Sequence, residues 1–165
     1  MIDERSAPPA GIPPGRGLLQ TAGMPTFKNI LCPVDFSASA KHAVTVAAEL
    51  AVASHGALTL VHIWQPPIGT PEIPTSGDVI QAMVDEADRN LAELVAAATA
   101  GGAQPVTSKV VTGAPWTEIV ALVESGGYDL VVMGTHGRTG ISHALLGSVA
   151  ERVVQHARAS VLVVR

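Results

Sequence analysis

The sequence predicts an α/β fold in which a single open, parallel five-stranded sheet carries helices on both faces. Two observations favour it. Five short aliphatic runs alternate with four longer segments whose apolar residues recur at helical spacing, in the order β-α-β-α-β-α-β-α-β. The composition is 47% hydrophobic but only 3% aromatic, which suits aliphatic strands that are buried on both faces. Strands that alternate with helices pair in parallel through right-handed crossovers.

The first strand is expected at residues 27–34, a short apolar run in which Pro33 removes a backbone donor and indicates that the strand is finishing. Ser37 is the expected N-cap of the first helix, at about residues 38–54. Gly56 is expected to be the glycine that terminates this helix.

The second strand is expected at residues 57–64, which are again almost continuously apolar. Residues 65–76 are rich in proline and predict an irregular connection. The second helix follows at about residues 77–100 and ends at Gly101-Gly102. Its apolar stripe consists of Val79, Ile80, Met83, Ala87, Leu91, Leu94 and Val95.

The remaining elements complete the alternation. Residues 105–111 alternate in polarity, as expected of an edge strand, and Pro115 stands at the first position of a third helix, which Gly126-Gly127 ends. Ile119, Val120 and Val123 would form the inner face of that helix. The fourth strand, the fourth helix and the fifth strand are expected at residues 130–133, about 149–158 and 160–164.

Residues 1–23 differ from the rest, because prolines and glycines dominate and few residues could enter a core. We expect a flexible tail followed by one domain over residues 24–165. Either Met24 is an alternative start, or the tail is a natural extension. The net charge of −4 argues against a general nucleic-acid or anionic-membrane surface. Cys32 is the only cysteine, which excludes a disulfide within the chain and fits a reducing cytoplasmic compartment.

A glycine-spaced loop follows the fourth strand. Gly134 and Gly137 flank a tight turn, Arg138 is the only Arg or Lys within the loop, and Gly147-Ser148 precedes the fourth helix. Glycines let backbone N–H groups approach phosphate oxygens, and a helix N-terminus adds partial positive charge. Ser148-Val-Ala-Glu151 matches a capping box, which places the helix start at Ser148. The structural alternative is a glycine-rich turn before an ordinary capped helix.

Asp35 stands at the carboxyl end of the first strand, where open parallel sheets bind ligands. It would accept hydrogen bonds from ribose hydroxyls or help to hold Mg²⁺, or it would cap the following helix; both roles are compatible. His136 and His143 flank Arg138 and are weaker candidates for ligand contact. Cys32 is more consistent with a packed strand residue than with a nucleophile. The loop is not a P-loop, since no lysine follows Lys109.

Residues 27–165 resemble the universal stress protein domain, a single adenine-nucleotide-binding, Rossmann-like α/β domain. The motifs that carry the resemblance are Pro33-Val-Asp35-Phe-Ser37, Val61-His62-Ile63, Gly113-x-Pro115, Gly134-x2-Gly137-x9-Gly147-Ser148 and the final Ser160-Val-Leu-Val-Val164. The glycine spacing matches the ATP-binding signature of the family. The resemblance covers everything except the N-terminal tail.

The resemblance implies a sheet order of 3-2-1-4-5 and a set of site residues. Pro33, Val34, Asp35 and Ile63 would contact adenine and ribose, Met133 would close the base pocket, and Gly134, Gly137, Arg138, Gly147, Ser148 and Val149 would hold the phosphates. Ile63 stands where other members have Val. The resemblance also implies ATP, carried with Mg²⁺, and a homodimer formed through residues 161–164. An apolar edge strand there would otherwise be exposed to unwanted pairing.

Three functions remain open from the sequence. The first is a cytoplasmic ATP-binding stress-response or regulatory module with slow or no hydrolysis. The second is an ATP hydrolase or phosphotransferase with genuine turnover. The third is a dimeric interaction module with a vestigial pocket. The missing P-loop lysine favours binding over catalysis, and at most weak ATPase activity.

Overall fold

The computed structural model describes residues 26–65, 77–135 and 146–165, which form a five-stranded, all-parallel sheet with helices on both faces. The elements are β1 (Asn29–Pro33), α1 (Ala38–Ser54), β2 (Ala57–Trp64), α2 (Gly77–Ala100), β3 (Val106–Thr112), α3 (Pro115–Gly126), β4 (Leu130–Gly134), α4 (Ser148–His156) and β5 (Ser160–Val164). The strand order is β3-β2-β1-β4-β5. The predicted alternation and the predicted sheet order are both confirmed.

The sheet separates two aliphatic cores, because alternate residues of each strand face opposite sides. On one side, Ile30, Leu60 and Val132 pack with the alanine-rich face of α1 and with Leu91 of α2. On the other side, residues such as Val131 pack with α3 and α4. Small alanines along α1 let the helix lie close to the strands, which explains how a chain with so few aromatic residues fills its interior.

The ends of α1 confirm one predicted residue and correct another. The Ser37 side chain accepts a hydrogen bond from the N–H of Ala40, so Ser37 is the N-cap as predicted. At the other end, the residue with left-handed dihedrals is His55, with φ 49°, and not Gly56. Gly56 is needed for a different reason, since a Cβ at this position would collide with the backbone carbonyl oxygen of Phe27.

The remaining elements begin and end within a few residues of the predicted positions. β1 begins at Asn29 rather than residue 27, whereas β3 and β4 each extend one residue further. In α2, Met83 is 42% exposed, so the predicted stripe is wrong at this position. Ala87, Leu91 and Ala98 are the buried residues of α2. The amino-terminal half of this helix therefore contributes less to the core than its apolar residues suggest.

β1 lies at the centre of the sheet and pairs with both β2 and β4. Because β2 and β3 extend to one side and β4 and β5 to the other, the chain reverses its direction of winding at β1. The gap between the carboxyl ends of β1 and β4 is therefore the switch point at which open α/β sheets bind ligands. No helix in the three described ranges is long and apolar enough to cross a membrane.

Candidate functional site

A hydrogen-bonded turn follows β1 and sets the position of Asp35. Asp35 Oδ1 accepts from the backbone N–H of Ser37 at 3.0 Å and from the Ser37 hydroxyl at 2.6 Å. The same hydroxyl oxygen accepts from the N–H of Ala40 at 3.2 Å. Asp35 thus orients Ser37, the residue that caps α1, and the expectation that Asp35 itself would cap the helix is wrong. This arrangement restrains the carboxylate at the carboxyl edge of the sheet, half-buried and beside the switch point.

Phe36 and His62 also shape this turn; both belong to motifs that carry the family resemblance, but neither is among the predicted site residues. Phe36 has φ 65°, in the left-handed region. Its ring lies 4.7 Å from the ring of His62, which comes from the neighbouring strand β2. His62 Nδ1 lies 2.7 Å from the carbonyl oxygen of Val34. The sequence signals for His62 are its place in the motif Val61-His62-Ile63 and its polar side chain within a largely apolar strand.

The end of β4 lies directly against the start of α1. A Cβ built on Gly134 would lie 2.7 Å from Ser39 Oγ and 2.9 Å from the Ser39 carbonyl carbon. Ser39 Oγ is in turn 3.2 Å from Ser37 Oγ. The turn that carries Asp35 and the start of the glycine loop are therefore neighbours, as expected from the pairing of β1 with β4. Close packing is a sufficient reason for glycine at position 134, independent of any ligand.

The two ends of the glycine-spaced loop meet beside β5. The N–H of Thr135, a buried residue, donates to the carbonyl of Val164 at 2.9 Å, and the N–H of Gly147 donates to the carbonyl of Thr135 at 2.7 Å. Although eleven positions separate Thr135 from Gly147 in the sequence, both are held at the carboxyl edge of the sheet. The amino terminus of α4 consequently begins next to the end of β4.

The predicted capping box is wrong in its register. Gly147 is the N-cap of α4, and the N–H of Glu151 donates to the Gly147 carbonyl as the first helical hydrogen bond, at 2.9 Å. Ser148 is therefore the first helical residue, and its side chain does not cap the helix. The helix also ends at His156 rather than near residue 158. With glycine as N-cap, the N–H groups of Ser148 and Val149 lie in the first turn, where a helix attracts anions.

The residues predicted to contact the base lie on both sides of the sheet. The side chains of Ile63 and Met133 pack in the core beneath α3 and α4, with Met133 5% exposed. Val34 belongs to the opposite core and is 3% exposed. Its N–H donates to the Val61 carbonyl at 2.8 Å. Pro33 is the buried last residue of β1. Ile63 and Met133 thus share one apolar wall, whereas Val34 does not join it through its side chain.

The structure does not describe four of the residues considered from the sequence, which are Gly137, Arg138, His136 and His143.

Cys32 is fully buried, and burial raises the pKa of its thiol to about 12. A thiol with this pKa is neutral and unreactive at ordinary pH, as expected of a packed strand residue. Within the described residues, no group of three or more His, Cys, Asp or Glu side chains could hold a metal ion.

Comparisons with known proteins point to the same family that the sequence motifs resemble. The sequence model of the universal stress protein family matches residues 26–165. A universal stress protein of Methanocaldococcus jannaschii is 34% identical over 143 residues, which cover 84% of this chain and 82% of the relative. A putative universal stress protein of Staphylococcus haemolyticus is 33% identical over 148 residues, covering 86% of this chain and 87% of the relative.

Solved structures agree with this result. The universal stress protein UspA from Lactobacillus plantarum superposes with a TM-score of 0.76 at 26% identity, covering 84% of this chain and 97% of that one. A universal stress protein crystallised in complex with cAMP superposes with a TM-score of 0.63 at 28% identity, covering 85% of this chain and 98% of that one. At least one solved structure that resembles this chain therefore contains an adenine nucleotide.

Proposed function

This chain belongs to the universal stress protein family, and we propose that it is an ATP-binding member that acts as a cytoplasmic stress-response or regulatory module. The observation that carries the proposal is the meeting of three features at one edge of the sheet. These are the carboxylate of Asp35, the end of β4 at Gly134, and the first turn of α4 after Gly147. Their arrangement would place a ribose near the carboxylate and phosphates near the helix terminus.

The base would lie against the apolar wall that contains Ile63 and Met133, with Pro33 and Val34 at the end of β1 as further contacts. The phosphates would be held by backbone N–H groups around Gly134, Gly147, Ser148 and Val149. Gly137 and Arg138 complete this set, because Arg138 would bring a local positive charge to the phosphates in a chain whose net charge is −4. The cAMP complex of a family member supports an adenine nucleotide, and the glycine spacing supports ATP.

We propose binding with slow or no hydrolysis. A carboxylate that acts as a general base must have an oxygen free to accept a proton from the attacking water. Oδ1 of Asp35 already accepts two hydrogen bonds from Ser37, and a ribose hydroxyl would take Oδ2, so this carboxylate would orient the ligand rather than remove a proton. No lysine follows Lys109 in the sequence, so the phosphate-binding lysine of P-loop enzymes has no counterpart in this loop.

Mg²⁺ would be bound together with the nucleotide, because this ion commonly binds through phosphate oxygens and one or two carboxylates and keeps several waters. Asp35 is the carboxylate that this site would offer to the ion. The chain would act as a homodimer through residues 161–164, on the outer edge of β5. This strand pairs with β4 on one side, and Leu162 is 38% exposed. Residues 24–165 would form the whole functional domain.

The experiment that tests this proposal compares ATP binding by the wild-type chain and two variants. Gly137→Val adds a side chain where the loop would approach phosphate, and it is expected to abolish binding while the fold and the dimer persist. Asp35→Ala removes the ribose acceptor and is expected to weaken ATP binding. The binding of GTP, measured in parallel, checks selectivity for adenine. Unchanged ATP affinity in Gly137→Val would refute the assignment of the glycine loop.

A further inference from the structure

A histidine side chain holds the backbone where β1 leaves the sheet. The register of β1 on β2 runs as far as Pro33 opposite Val61. The next carbonyl, that of Val34, lies 2.7 Å from His62 Nδ1. A carbonyl oxygen can only accept a hydrogen bond, so Nδ1 must carry the proton and donate it. The His62 side chain therefore extends the pairing of β1 with β2 by one further hydrogen bond.

The same imidazole ring contacts the residue with the least favourable backbone conformation in this turn. Phe36 has φ 65°, a region that residues other than glycine seldom occupy. Its ring lies 4.7 Å from the ring of His62, with 33° between the two planes. Such conformations persist only where the surroundings hold them, and they occur often at functional sites. His62 thus contacts the turn both before Asp35, at Val34, and after it, at Phe36.

We propose that His62 is a positioning residue of the nucleotide site, which holds the turn from Val34 to Ser37 so that Asp35 presents its carboxylate to the ribose. This inference rests on the proposed function. Asp35 Oδ1 is restrained by the two donors of Ser37, so a ribose hydroxyl would approach Oδ2. His62 does not contact the ligand in this account. Its effect on affinity passes through the backbone that carries Asp35.

Two substitutions at this position separate the hydrogen bond from the packing. His62→Asn keeps an amide N–H close to the position of Nδ1. His62→Leu fills much of the space of the ring with an apolar side chain but has no hydrogen-bond donor. We expect His62→Leu to weaken ATP binding roughly tenfold, the typical effect of one lost hydrogen bond, and His62→Asn to remain within about threefold of wild type. His42→Leu, at an exposed position on α1, is the matched control and should bind as wild type does.

Affinities from calorimetric titration and unfolding curves should be measured on the same samples. If wild type does not bind ATP, the proposed function itself fails. If wild type binds and His62→Leu binds equally well, only the role of His62 fails. Equal weakening in the Leu and Asn variants would also overturn the role of the hydrogen bond, because packing of the ring would then explain the loss.

A measurement on the unmodified protein keeps the proposal testable even if His62→Leu does not fold. Long-range ¹H–¹⁵N NMR spectra of histidine rings show which nitrogen carries the proton in the neutral form. We expect the Nδ1–H tautomer for His62, assigned by its absence in His62→Asn. Addition of ATP should shift this resonance. The Nε2–H tautomer in the wild-type chain, or a resonance that saturating ATP leaves unmoved, would overturn the inference.

Discussion

Replacing Gly134 with alanine distinguishes two physical reasons for a glycine at the end of β4. One reason is access of phosphate oxygens to the backbone, and the other is close packing against α1. The structure favours packing, because the added Cβ would lie 2.7 Å from Ser39 Oγ and 2.9 Å from the Ser39 carbonyl carbon. The second of these atoms belongs to the backbone of α1. Relief of the clash therefore requires the helix start or β4 to shift.

The expected magnitude follows from this geometry. One methyl group forced into a closely packed site costs about 1–3 kcal/mol of unfolding free energy. We therefore expect Gly134→Ala to lower the urea midpoint of the nucleotide-free protein with little change in the slope of the transition. Because Ser39 lies next to the Asp35 turn, the displacement should also weaken ATP binding.

Gly77→Ala is the control, since a Cβ on Gly77 would meet no atom within 4 Å. Alanine favours helix over glycine by up to about 1 kcal/mol in a helix interior, so this variant should be neutral or slightly stabilised at the start of α2. If nucleotide-free Gly134→Ala unfolds at the wild-type urea concentration but no longer binds ATP, the packing argument is wrong. Gly134 would then be required by the ligand alone.

Three other predictions concern the cap of α1, the buried thiol and the sheet edge. Ser37→Ala removes the hydroxyl that accepts from the Ala40 N–H and donates to Asp35, so it should cost about 1 kcal/mol in urea unfolding. Ser37→Ala should also weaken ATP binding. Ser37→Asn keeps a side chain that can cap the helix and is the control. An unchanged unfolding curve for Ser37→Ala would contradict the capping role. Burial raises the pKa of Cys32 from 9.0 to about 12, so its thiol should react with a disulfide reagent only on unfolding, and rapid native reaction would contradict its burial. Because the pKa of Cys32 is higher in the folded state, unfolding at high pH releases a proton from its thiol. The contribution of Cys32 to the free energy of unfolding is therefore complete below pH 9.0 and declines towards pH 12. The Cys32→Ala variant should lack this contribution to the pH dependence. Val163→Glu should convert a dimer to a monomer on a sizing column, and a persistent dimer would indicate another interface.

Local patterns predicted the elements of the fold well, because aliphatic strands and helical spacing are properties of neighbouring residues. The N-cap Ser37 was predictable for the same reason, since its partner is only three residues away. The end of α1 was not, because His55 adopts the left-handed conformation while Gly56 is required by the approach of Phe27, which lies just before β1. Sequence spacing does not show such an approach.

The candidate site shows the same division between local and long-range effects. Asp35 could be placed at the carboxyl edge of the sheet from strand order alone. Ser148 was assigned as the cap of α4 from a matching motif, but Gly147 takes this position, with its N–H bonded to the carbonyl of Thr135. The contact between His62 and the Asp35 turn joins residues 28 positions apart, and only the pairing of β1 with β2 brings them together.

The central claim is that this chain binds ATP at the switch point between β1 and β4, and isothermal titration of the wild-type chain with ATP and Mg²⁺ tests it most directly. The account predicts a saturable heat signal at one nucleotide per chain, together with a rise in the unfolding temperature, because a ligand that binds only the folded state stabilises it. Titration without measurable heat, accompanied by an unfolding temperature that ATP leaves unchanged, would contradict the claim.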